Sequence, residues 1–160
     1  MLKRLLLIFL SLTLIGMVQL ATAGIDFGQS DINQRKAAIA LVKKAAELVK
    51  KEGRVKAICA FNEQNKKAKP GAPFLFAFVC NDGKNDSIVL ANRLTHIVFT
   101  SLYNNPNHIK FRKALKKHPN GVWVSYTVTN PDSGKIENKR SYLVMLPKHK
   151  ICIGSGYFIR

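Results

Sequence analysis

Four side chains around one turn have the types that recognise an anion. Trp123 and Tyr126 precede the reversal Asn130-Pro131-Asp132-Ser133-Gly134, and Lys139 and Tyr142 follow it. Aromatic rings supply walls and a polar tip, and a Lys or Arg supplies the charge that a carboxylate needs. Arg93 and His96 come from an aperiodic stretch between residues 92 and 108 that is placed to close over such a wall. The expected ligand-binding set is Trp123, Tyr126, Lys139, Tyr142 and Arg93. A plainer reading stands beside it, with the rings packed on a sheet face and Lys139 in water.

Other chemistries find less support. Nucleophilic catalysis requires a Ser or Cys, a base and an orienting acid in one site. His96, His108, His118 and His149 are scattered and none stands in a nucleophile motif, so no enzyme is expected. No two histidines are spaced i, i+4 on a helix, and no CxxC is present. The stretch Asn81 to Asp86 has calcium-like side chains but lacks the closing Glu of an EF-hand, and reads as a hairpin turn. Neither a metal nor a cofactor is expected. Lys110-Phe111-Arg112-Lys113 with Lys116-Lys117 is the nearest approach to a nucleic-acid face. An exported chain seldom meets nucleic acid, and none is expected as a partner.

Export is read from the first 23 residues as a cleaved secretory signal, with a signal anchor as the alternative. Met1 to Arg4 is a positive start, Leu5 to Val18 an apolar core, and Ala21-Thr22-Ala23 a small-residue cleavage site before Gly24. The apolar run falls short of the roughly 20 residues that span a bilayer. Removing 23 of 160 residues leaves 137, enough for one domain over 24–160 with a single core. The expected compartment is periplasmic or secreted.

Setting aside Lys3 and Arg4 lowers the net charge from +17 by two, to +15. Such a field attracts polyanions, anionic envelope surfaces and small acids alike. Cys59, Cys80 and Cys152 allow one disulfide and one leftover thiol after export. Cys80 and Cys152 both lie in strand-like runs, yet buried free thiols fit the pattern equally well.

The positioning elements follow from periodicity. Asp31 to Gln34 has capping-box spacing before an apolar stripe at Ala38, Leu41, Val42, Ala45, Leu48 and Val49, which predicts a helix ending near Gly53. A short helical piece around Ala57 to Asn62 leads to a Pro-Gly stop at residues 70–73. Phe74 to Cys80 and Ser87 to Ala91 read as a hairpin. Ile109 to Lys117 has helical spacing. Val122 to Thr129, Ser141 to Leu146 and Ile151 to Ile159 read as three further strands. The predicted fold class is α+β, an antiparallel sheet with helical cover.

"GVWVSYTVTNPDSGKIENKRSYLVML" followed by "ICIGSGYFI" resembles the C-terminal signature of single-Cache domains. In that family a G-x-W-x-x-Y strand runs through an n-P-x-[TS]-G turn into a P-K-x-S-Y strand and a final G-S-G-x-Y strand. The helix "AAIALVKKAAELVKKEG" and the "FLFAFVCNDG" strand fall where the family places its first helix and hairpin. The similarity spans roughly Asp31 to Arg160. Asn138 stands where the family prefers Pro, Ala91-Asn92-Arg93-Leu94 replaces a His-Pro or Asn-Pro step, and "GSGYF" is one residue short of the usual ending.

The resemblance implies a PAS-like extracytoplasmic fold, a long N-terminal helix packed on a five- to six-stranded antiparallel sheet with a small-ligand pocket on the other face. Trp123, Tyr126, Lys139 and Tyr142 match motif positions, and Tyr157 matches the aromatic of the last strand. The function so implied is an exported, stand-alone sensory module for a small anionic organic ligand such as a carboxylate, acting through a separate membrane signalling protein. The alternative is an interaction protein with a degenerate pocket, whose basic surface binds anionic envelope polymers, lipids or a partner protein.

Overall fold

The computed structural model describes residues 26–159, with only the backbone helix described for residues 26–29. The expected leader, residues 1–23, lies outside the described residues. By contacts the chain divides into a first unit, Met1–Asn33, and a second, Gln34–Arg160. The described part of the first is the opening of helix α1, Asp26–Lys66. Asp31 therefore sits inside the helix, and the predicted capping box does not cap it.

Within the second unit, α1 is broken once, at Gly53 with φ 80 and ψ 164. That conformation is essentially restricted to glycine, which has no Cβ to clash. Leu41 and Leu48 on one side of the break share a groove with Ala60 and Gln64 on the other, so the chain doubles back there. The expected end near Gly53 and the helical piece after it are thus two limbs. Buried Ala38, Val42, Ala45 and Val49 follow the predicted stripe, and Ala57 and Phe61 extend it past the break.

Five strands follow: β1 Phe74–Val79, β2 Val89–Ala91, β3 Val122–Thr129, β4 Ile136–Leu146 and β5 Ile151–Phe158. They form one antiparallel sheet in the order β2-β1-β5-β4-β3. The fold is α+β, as the sequence suggests. Between β2 and β3 run a short 3-10 turn at Thr95–Ile97 and helix α2, Pro106–Lys117. α2 starts one turn earlier than its apolar spacing implies. Pro106 occupies its first turn, and the Asn105 side chain caps it by accepting from Asn107 N at 2.9 Å.

Alternation sorts the sheet into two cores. Leu75, Ala77, Val79, Val144, Ile151 and Ile153 face α1 and pack on Val42, Ala45, Val49 and Phe61. Phe76, Phe78, Val124, Leu143 and Cys152 face the other way, onto Phe111 and Leu115 of α2. Cys80 and Cys152 are joined in this second layer by a disulfide with Cα atoms 5.7 Å apart, and Cys59 is free and exposed.

Two strand bounds differ from expectation by more than one residue. β2 is shorter because Ser87 takes φ 68, where a strand cannot continue. β4 begins at Ile136, five residues before Ser141, because the turn needs fewer residues than its polar border suggests. Gly134 N donates to Asn130 O at 2.8 Å, Asn130 N to Lys135 O at 2.7 Å, and pairing starts at once with Thr129 opposite Ile136. Lys139 consequently lies in mid-strand.

Candidate functional site

A cavity of about 90 Å³ opens on the α2 face of the sheet. That is roughly the liquid volume of three waters, room for a ligand of few non-hydrogen atoms. Phe74 and Phe76 of β1, Tyr126 of β3 and Lys139 of β4 make its sheet wall. Leu94, Ile97 and Leu102 from the irregular insert, with His108 and Phe111 of α2, close the opposite side. The aperiodic stretch is thus a cover over the sheet, as its position suggested.

Register places the wall. Tyr126 pairs with Lys139 and Val124 with Ser141 across β3 and β4, so these four side chains share one face. The Tyr126 hydroxyl lies 3.0 Å from Ser141 Oγ, and its ring meets Phe111 edge-on at 4.8 Å. Burial pushes the Tyr126 phenol well above its ordinary range, with Ser141 opposing that in part, so it stays a neutral hydroxyl. Gly154 of β5 makes room for the wall, since a Cβ there would come within 2.3 Å of the Phe76 ring.

Lys139 is the unusual member. It is 2 % exposed. Its Nζ stands 3.6 Å from the centroid of Phe74, 5.1 Å from Phe158 and 5.4 Å from Phe76. No carboxylate among the described residues forms an ion pair with it. Ring faces attract an ammonium but do not replace a counter-ion. Burial, and secondly the nearby Arg93 guanidinium, bring its pKa down to about 7.

Arg93 stands near this amine but does not line the cavity, although its neighbours Asn92 and Leu94 do. Its Nη2 pairs with Asp132 Oδ1 at 2.7 Å, while Nη1 is buried without a hydrogen-bond partner. Asp132 Oδ2 accepts from Gly71 N at 2.7 Å. One turn residue therefore ties the cavity cover to the segment before β1.

Trp123 and Tyr142 stand elsewhere. They pair with each other on the α1 face, their rings 5.5 Å apart. Trp123 also meets Tyr157 at 6.1 Å and lies beneath the Arg35 guanidinium at 5.4 Å. The expectation of one wall made of Trp123, Tyr126, Lys139 and Tyr142 is corrected here. Residues three apart on a strand point to opposite faces, so each strand gives the cavity one of its pair. Trp123 and Tyr142 pack the other layer, Arg93 pairs with Asp132 outside the cavity lining, and His96 is exposed.

Sequence reasoning passed over Phe74, Phe76, Phe111, Phe158 and His108. The phenylalanines at 74, 76 and 78 alternate, which is a period-two signal hidden within a continuous apolar run. His108 is 8 % exposed, edge-on to Phe78 at 4.8 Å, with Nδ1 buried and unpartnered. Burial and secondly Arg112 lower its pKa to about 4, so it is neutral at ordinary pH. Only its position three residues after a helix N-cap could have flagged it. Among the described residues, no group of His, Cys, Asp and Glu could hold a metal ion, and no helix is long and apolar enough to cross a membrane.

Solved structures share this fold. A periplasmic sensor domain of a chemotaxis protein superposes with a TM-score of 0.59 at 16% identity, covering 84% of this chain and 99% of its own. A methyl-accepting chemotaxis protein from Vibrio parahaemolyticus gives 0.62 at 16% identity, covering 84% and 94%. A Cache chemosensory domain, described for its recognition of carboxylic acids, gives 0.59 at 13% identity, covering 82% and 98%. No protein-family profile matches the chain, and no curated protein matches it. The fold is that of the Cache-type periplasmic sensor domains.

Proposed function

We propose that the chain is an extracytoplasmic sensory module that binds a small monocarboxylate in the cavity above Lys139 and passes the bound state to a membrane signalling partner. The observation that carries this reading is the buried, unpaired amine in an otherwise aromatic box. An anion that enters supplies the missing counter-ion, and pairing in a dry site is strong because the alternative is an uncompensated charge. No Asp or Glu lines the cavity to receive a ligand ammonium, which weighs against amino acids. The small volume weighs against purines and long chains.

Thermal-shift and calorimetric titration with two- to four-carbon carboxylates, amino acids and purines tests it. Short monocarboxylates are expected to raise the melting temperature of the unaltered chain and to leave Lys139→Met unmoved. Equal stabilisation of both proteins, or none of either, refutes the reading.

A second reading has its own observation. No acidic residue occurs from Ser87 to Pro131, a stretch that carries exposed Lys110, Lys113, Lys116 and Lys117 on α2. Such a face suits an anionic envelope surface. Salt-sensitive retention on anionic vesicles, weakened by Lys113→Glu and Lys116→Glu and unaffected by Lys139→Met, would favour it.

A further inference from the structure

We propose that the cavity amine also binds covalently: Lys139 Nζ condenses reversibly with a small 2-oxo acid to form an imine. This rests on the reading of the cavity as a ligand site, and it names a chemistry that simple charge pairing does not require.

Three observations lead to it. Lys139 Nζ meets rings rather than a carboxylate, so nothing in the described structure holds its proton in place. It stands at the wall of a cavity with room for a few non-hydrogen atoms, so a carbonyl carbon can reach it. Burial beside Arg93 keeps its pKa near 7, so the neutral, nucleophilic form is abundant at ordinary pH. By contrast, Lys113, Lys116 and Lys117 stand in water.

The condensation needs no oxidant or reductant. The amine lone pair adds to the carbonyl carbon as the C=O π pair moves to oxygen, and a proton passes from nitrogen to that oxygen. The carbinolamine then loses its hydroxyl together with the remaining N–H proton as water, leaving C=N. The imine takes one proton from solvent, so a positive charge stands where the ammonium would have stood. The ligand's own carboxylate, one bond from the imine carbon, neutralises it. A 2-oxo acid thus brings the carbonyl and the counter-ion in one molecule. An aromatic, poorly hydrated site also slows the return of water.

Incubation of the full chain with pyruvate and cyanoborohydride, followed by intact-mass and peptide analysis, tests the idea. One carboxyethyl group is expected on Lys139, acquired roughly tenfold faster than on any surface lysine. Excess propionate, which pairs but cannot condense, is expected to protect Lys139. Lys139→Arg, checked for folding by circular dichroism, is expected to lose the fast label. Propionate stabilisation without labelling of Lys139 overturns the imine and leaves the monocarboxylate reading standing. Equal labelling of surface lysines also overturns the imine. Neither labelling nor stabilisation overturns both. The protection arm uses only the unaltered chain, so a misfolded variant does not spoil the test.

Discussion

Lys139→Met keeps the length of the side chain and removes its amine, leaving a thioether that suits a box of phenyl rings. The unfolded chain holds the lysine proton up to its ordinary 10.5, whereas the fold releases it near 7. Over that window the unfolded state binds more protons, so the lysine's contribution to stability rises with pH. Below pH 7 both states are protonated and the fold bears the full cost of a buried ammonium. That cost is about 5 kcal/mol, from 1.36 kcal/mol per pH unit across the window.

It has fallen by about 3 kcal/mol at pH 9 and is gone above the unfolded value. Lys139→Met is therefore expected to be more stable than the unaltered chain at pH 6 to 7. The difference should shrink steadily toward pH 10. Urea unfolding at four pH values between 6 and 9.5, with m-values compared, measures it. A difference that does not change with pH, or that grows as pH rises, refutes the account of an unpaired buried amine. If the cavity takes a monocarboxylate as proposed, the same linkage is expected to weaken that binding above pH 7, toward tenfold per unit, because the anion pairs only with the protonated form.

His108 acts in a separate window. Its fold value near 4 against an ordinary 6.5 means that stability falls as pH drops through that range, by up to about 3 kcal/mol, and His108→Leu should flatten this part of an acid titration. Reducing the Cys80–Cys152 bridge, which spans 72 residues, is expected to cost about 4 kcal/mol, read as a lower urea midpoint in dithiothreitol. Asp132→Asn removes the Arg93 pair and should lower stability by about 1 to 3 kcal/mol. Its signature is faster hydrogen exchange at the Gly71 amide and through the insert. Gly154→Ala drives a methyl group against Phe76, so carboxylate affinity should fall even where the sheet survives.

How legible the molecule was depends on the range of the signal. The α1 stripe, the β3 alternation and the turn at residues 130–134 are local patterns, and each marks its element. The bounds that moved were set by groups that periodicity does not weigh: Asn105 and Pro106 start α2 early, and left-handed Ser87 cuts β2 short.

Within the site, Tyr126 and Lys139 were found because one turn brings them together. Trp123 and Tyr142 were drawn in by chemical type, although the alternation of β3 already set Trp123 against Tyr126. Phe74, Phe76 and Phe158 reach Lys139 only through the pairing of β1 with β5 and β5 with β4, which no local pattern encodes. The bridge between Cys80 and Cys152 depends on that same long-range pairing.

The strand order has a consequence for how the chain is made. β1 pairs with β2, and β3 with β4, but only β5 joins these two hairpins, and it lies at the centre of the sheet. A chain delivered N-terminus first therefore holds two separate hairpins until residues 151–158 arrive. Before that moment neither the aromatic box around Lys139 nor the partner of Cys80 exists. Completion of the sheet and of the bridge is thus tied to β5, so a product arrested or trimmed before residue 151 would lack both the aromatic box and the disulfide.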